Sequence, residues 1–336
     1  YTLPNLLSVG VTDGRNHQID LSRQIAFCGF APEGRSFLEQ VGQSRLKASR
    51  EGLVFPGGLL NEFLTEITAE PFFSPASAPA PWDLPQFRDS IRRDFGVFKQ
   101  GPWIGAVSNL LFRPRPEGHW TLDHQNLFSL YHERFGDVLS GNNSKNDPEL
   151  STFNKAFTTF DGDPLDTPLW SYIPGKGRFE WQANGVKITR DYRGFEGCLD
   201  FQARSPDSAV LTIRANARFS EYPITCSLQP GAGFGRGFQA ADGRRIEIGD
   251  QPFTRRGRDV GGAMVLTPEA APDVRREEPG RPLRVGIPAD AEIVWPFRGW
   301  DCYNMKTDRY EKAADWTLLL KIPVSADGAR VTLDVL

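Results

Sequence analysis

The sequence predicts a mainly β fold: a large antiparallel β-sandwich of the super-sandwich kind, with a small α-helical segment at its N-terminus. Three observations point there. Gly (33) and Pro (26) together make up about one residue in six of the 336, above the roughly 12% of an average chain, and no collagen-like period organises them. That favours many turns and short strands over long helices. From about residue 97 onward apolar residues recur with a period of two. Turn signals then follow one another at strand-length spacing, with about a dozen strands in the C-terminal 240 residues and no fixed repeat that would indicate a propeller.

Residues 1–96 read differently. Residues 17–30 form a short helix or an extended segment. Residues 36–50 (SFLEQVGQSRLKASR) have helical spacing, with Ser36 as N-cap and Gly52 just past the end. Residues 58–68 and 86–95 (QFRDSIRRDF) read as two more short amphipathic helices. Between them, 74–85 (SPASAPAPWDLP) is too rich in proline for a regular helix or a central strand and reads as a linker or surface loop. Residue 1 is Tyr, which implies a chain cut from a longer one.

In the β region, 106–113 and 125–132 read as strands. RFEWQA and VKITRDY, joined at Asn184 and Gly185, read as a hairpin with a type I′ turn. Strands follow at 198–203 and 209–219. FQA, ADG and RRIEIG give a second hairpin around Asp242 and Gly243. Further strands are expected at 262–266, 282–286, 291–297, 314–322 and 329–336.

Composition narrows the function. Apolar residues are 39% and charged residues 24%, enough to build a core, which excludes global disorder. The net charge is −3, so nothing favours nucleic acid as the main partner. No apolar run is long enough to span a membrane as a helix. Of the 39 basic residues 30 are Arg, the better bidentate partner for carboxylate or sulfate; genomic base composition explains such a bias equally well. The four cysteines (Cys28, Cys198, Cys226, Cys302) form no CxxC, and free thiols or two disulfides both fit. There is no GxSxG elbow and no phosphate-binding GxxxxGK[ST] loop. GAGFGRG (231–237) lies outside any βαβ unit and reads as a turn.

The residues with chemistry cluster. Three of the four histidines, His119, His124 and His132, lie within 14 residues. His124 and His132 are an even number apart, so on a strand they share a face, with Tyr131 and Glu133 on the other. Imidazole titrates near neutrality and, beside a phenol, suits proton transfer. A histidine satisfied within the core fits the same spacing. Asp123 beside His124 can orient the ring or share a metal ion, but without an HxH or HExxH spacing zinc is weakly supported. Residues 137–153 follow as a polar stretch carrying Asn142, Asn143, Ser144, Lys145, Asn146, Asp147 and Glu149. It is either a solvated turn region or a substrate-binding loop. Trp103, Trp120, Trp170, Trp181, Trp295 and Trp300 are spread through the β region, where indoles either fill the core or pack on sugar rings. WPFRGWDCYN (295–304) places Arg298, Trp300, Asp301 and Tyr303 where they can line a cleft.

QNLFSLYHERFGDVLSGNNSKNDPELSTF (125–153) resembles the sandwich region of heparinase II/III-like polysaccharide lyases. The resemblance implies an α/α toroid ahead of a super-sandwich, and β-elimination on a uronic-acid-containing glycan. A neutraliser binds the sugar carboxylate, a Tyr or His takes the adjacent proton, and a Tyr or His protonates the leaving oxygen. It implies His132, or failing that His124, as the sandwich histidine, with Tyr131 as a further catalytic candidate. Asn143, Lys145, Glu149, Arg298 and Trp300 are the candidate substrate contacts. No cofactor is required by that mechanism, and a bound Zn2+ or Ca2+ is compatible with it. The helices before residue 97 are too few for a toroid. They can be the tail of one, the rest being removed or carried by a separate chain; if there is no toroid, the lyase reading loses most of its catalytic residues. A periplasmic or secreted protein is expected, because polymeric glycans are met there. Two other readings remain open. One is a non-catalytic carbohydrate-binding or structural sandwich. The other is a glycoside hydrolase using carboxylates among Glu133, Asp147, Glu149 and Asp301.

Overall fold

A computed structural model describes residues 30–36, 38–39, 70–75, 78–79, 83–91, 95–109, 128–140, 152–155, 176–192, 195–217, 224–230, 238–240, 257–266, 281–295 and 319–336. The fold is mostly antiparallel β-sheet in two sheets, a sandwich. The strands are β1 (Gln86–Ile91), β2 (Phe95–Gln100), β3 (Trp103–Ser108), β4 (Phe128–His132), β5 (Gly136–Ser140), β6 (Phe153–Lys155), β7 (Lys176–Gln182) and β8 (Gly185–Tyr192). They continue as β9 (Phe195–Ser205), β10 (Ser208–Ala217), β11 (Ile224–Pro230), β12 (Phe238–Ala240), β13 (Gly257–Leu266), β14 (Leu283–Trp295), β15 (Leu319–Val324) and β16 (Ala329–Val335). Helical structure among the described residues is slight: 32–36, 38–39 and a 3-10 turn at Glu70–Phe72.

The small sheet runs β1-β2-β3-β4-β5, and the large one runs β11-β15-β14-β16-β10-β9-β8-β7. β11 joins them. Its residues 224–228 pair with β15, while Gln229 and Pro230 pair with Ser140 and Leu139 of β5. Alternation along each strand sets the two faces. β9 reads buried and half-buried in turn from Phe195 to Ala203, so its odd positions enter the core. The sheets meet there. Phe201 of β9 lies 5.6 Å from Phe98, 5.5 Å from Phe128 and 5.9 Å from Trp103, ring centre to ring centre, and Trp181 reaches Phe98 at 6.0 Å.

Three local expectations are corrected. Residues 86–91 are strand, not helix, and Phe95 opens the next strand. Phe87 and Ile91 are four apart, which puts them on one face of a helix and equally on one face of a strand. Pairing with β2 decides between the two. The β7–β8 hairpin forms, but its turn is Ala183 and Asn184, and Gly185 opens β8. Gly185 serves close approach: a Cβ there would strike the carbonyl of Phe201 on β9. Phe238–Ala240 pairs with Met264, Val265 and Leu266 of β13, while RRIEIG, the expected other half of that hairpin, lies outside the described residues. The strands expected at 282–286 and 291–297 are one strand, β14, as far as Trp295, beyond which the residues lie outside those described. Pro288 falls within it where the register against β13 shifts between Val260 and Gly262, the irregularity that tolerates a residue without an N–H. The expected helices at 17–30, 36–50 and 58–68 lie largely or wholly outside the described residues. No helix among the described residues is long and apolar enough to cross a membrane.

Candidate functional site

The antiparallel small sheet brings separate parts of the sequence to one end. β3 pairs with β4 through Val107 and Phe128, and β4 pairs with β5 through Leu130 and Leu139. The end of β3, the start of β4 and the end of β5 therefore share an edge of the sandwich, opposite the 133–135 turn. The connections 110–127, which carries His119, Asp123 and His124, and 141–151, which carries Asn143, Lys145 and Glu149, both depart from that edge. Both ends of the second connection are tied to β11. Ser140 pairs with Gln229, Phe153 pairs with Cys226, and Ser227 N–H donates to Thr152 O at 2.9 Å. The predicted site residues His124, Asn143, Lys145, Glu149, Arg298 and Trp300 themselves lie outside the described residues, as do Asp147 and Asp301.

His132 sits at the other end of β4. It is 0% exposed, and its ring lies edge-on to Trp103 at 4.5 Å. Nδ1 accepts the Arg134 backbone N–H at 3.1 Å, so the proton is on Nε2, which donates to the Pro206 carbonyl at 2.9 Å. Burial holds its pKa below the ordinary 6.5, partly offset by that backbone bond and by the Asp207 charge. Neighbouring contacts reinforce the latch: Trp103 Nε1–H donates to Ser205 O at 3.1 Å, and Arg134 pairs with Asp207 at 2.7 Å. A buried imidazole with both nitrogens engaged has no free position for proton transfer. In this arrangement His132 serves as a buried contact between the two sheets.

Tyr131 and Glu133 lie on the opposite face, as the alternation requires. Tyr131 is buried in a cluster with Val97, Ile104 and Ala106, with Phe87 and Phe95 against it. Glu133 is half exposed and pairs with the buried Lys99 at 2.7 Å. Apolar packing around the Tyr131 ring gives its proposed catalytic part no support. Among the described residues no group of three or more His, Cys, Asp or Glu is placed to hold a metal ion. Cys198 and Cys226 are free thiols, and Cys28 and Cys302 lie outside the described residues.

One residue with unusual chemistry was missed by sequence reasoning. Arg190 of β8 is 1% exposed, and burial lowers its pKa to about 10. Nη1 donates to Asn109 Oδ1, just past β3, and Nε has no hydrogen-bond partner. Burial pushes the Tyr192 phenol above its ordinary value, while the Arg190 charge pulls the other way. The guanidinium fits because Gly177, opposite on β7, has no side chain; a Cβ there would strike Nη1. The signal was present in VKITRDY, where Val186, Ile188, Arg190 and Tyr192 share one face and the Arg interrupts an apolar series.

No family model matches the chain, and no curated protein matches it. Solved structures do match at low identity. The heparan sulfate lyase HepC from Pedobacter heparinus is 11% identical, with a TM-score of 0.44, over 99% of this chain and 45% of its own. A heparinase III (the BT4657 gene product) is 10% identical, with a TM-score of 0.39, over 83% of this chain and 40% of its own. The YeaD protein of Salmonella typhimurium, described as a proposed mutarotase, is 13% identical, with a TM-score of 0.36, over 74% of this chain and 93% of its own. The chain thus has a weak structural resemblance to heparinase III and heparan sulfate lyase, and spans under half the length of either.

Proposed function

We propose that the chain is the sandwich part of a carbohydrate-active protein that cleaves a uronic-acid-containing glycan by β-elimination. In this reading His124 is the sandwich histidine, since His132 is committed to the Trp103 and Pro206 contacts. Asn143 and Lys145 hold the sugar carboxylate, making the neighbouring proton more acidic, with Glu149, Arg298 and Trp300 as further sugar contacts. The imidazole of His124 exchanges a proton with the substrate, and a toroid in the same or another chain supplies the remaining acid–base group. The reaction needs no cofactor, and its setting is the periplasm or the outside of the cell.

The observation that supports this reading most is topological. Two segments separated by the β4–β5 hairpin, 110–127 and 141–151, are anchored at one end of the small sheet. The test is ultraviolet absorbance of unsaturated uronate product across a panel of uronic-acid polymers. Product is expected from the parent protein, to be abolished by His124→Ala and retained by His132→Gln. No product from any polymer, binding without turnover, or full activity in His124→Ala would overturn the reading.

A further inference from the structure

β7 ends the order of the large sheet, and among the described residues no strand pairs with its outer edge. Its residues alternate between exposed and half-buried from Lys176 to Trp181. Such an edge is a template for another strand unless something guards it. Proline and runs of like charge are common guards, and β7 has neither.

Its hydrogen-bonding parity follows from the hairpin. Gln182 and Gly185 close a two-residue turn and so form a hydrogen-bonded pair with β8. Glu180, Arg178 and Lys176 share that inward parity. The N–H and C=O groups of Trp181, Phe179 and Gly177 therefore point to the open edge.

We propose that β7 pairs antiparallel with β7 of a second copy of this chain, about a two-fold axis at Phe179. This is the register that pairs every residue of the strand. Phe179 bonds to Phe179, and Gly177 to Trp181, through the outward backbone groups. Arg178 then stands directly opposite Glu180 of the other copy, twice by symmetry. These are non-hydrogen-bonded positions, where cross-strand side chains come closest. Among the described residues, Arg178 makes only long contacts within one copy, 3.7 Å to Glu180 and 3.8 Å to Glu196, all on exposed or half-exposed groups, so its charge is available to a partner. The alternation of sign along β7 is thus self-complementary where a uniform edge would repel its copy.

Sedimentation equilibrium on the full chain tests this. A reversible, concentration-dependent dimer is expected. Arg178→Glu, which sets like charges opposite Glu180, is expected to raise the dissociation constant by roughly tenfold or more, and Glu180→Arg to do the same. The double exchange Arg178→Glu with Glu180→Arg restores opposite signs and is expected to return the constant to near its starting value. Both positions are exposed, and near-ultraviolet circular dichroism checks that each variant is folded. A wild-type chain that stays monomeric at every concentration, a dimer indifferent to either single change, or a double exchange no better than the singles would overturn the proposal.

Discussion

Nε2 of His132 lies 2.9 Å from the carbonyl oxygen of Pro206, so an imidazole of the small sheet is bonded to the turn joining β9 to β10 in the large one. The Pro206 bond survives protonation, but the Arg134 N–H bond to Nδ1 requires the neutral ring. A residue chosen by the sequence for its titration is held here in one protonation state.

Stability should therefore fall in mild acid. Folding holds the His132 pKa below 6.5, so the folded chain binds fewer protons than the unfolded chain. The contribution of the neutral ring is complete above that value and is lost as pH falls through it, at up to about 1.4 kcal/mol per pH unit. Urea midpoints between about pH 7.5 and 5 measure this. His132→Gln is expected to be less stable at neutral pH, by about 1–3 kcal/mol, and to show a shallower acid dependence. Parallel curves for the two proteins would refute the assignment.

Gly177→Ala is expected to destabilise by about 1–3 kcal/mol, because the new methyl meets the Arg190 guanidinium in a closed core. In an Arg190→Met background the same change should cost far less, giving a coupling of about 1 kcal/mol or more in a double-mutant cycle. Additive costs would show that Gly177 is there for some reason other than Arg190.

Cys226 and Cys198 should differ in reactivity. Burial raises both thiol pKa values, but Cys226 is buried completely and Cys198 partly, with the Lys187 charge opposing the shift. A thiol reagent followed by peptide mass mapping is expected to label Cys198 slowly in the native protein and Cys226 only after denaturation. Native labelling of Cys226 at the rate of Cys198 would contradict the packing.

The fold was legible where period two had no rival. β9, β10, β13 and β16 fall close to their expected positions because alternating residues such as Leu199, Phe201 and Ala203 share a face only in a strand. It was illegible where two periods coincide, as for Phe87 and Ile91, or where pairing carries one strand across an expected break, as in β14. The site was legible to a lesser degree. Spacing put His132 and Tyr131 on opposite faces, as observed, but whether a face meets solvent or a second layer depends on residues more than seventy positions away, such as Pro206. Arg190 was overlooked because one cation among apolar neighbours reads as an ordinary strand, and its isolation shows only once Asn109 and Gly177 are beside it.

β11 belongs to both sheets at once. The layers therefore share a spine and cannot be peeled apart along that border without tearing one continuous backbone. A ligand held between the segments that spring from this seam would rest on a strand common to both layers, so a change in one layer would reach it through the other.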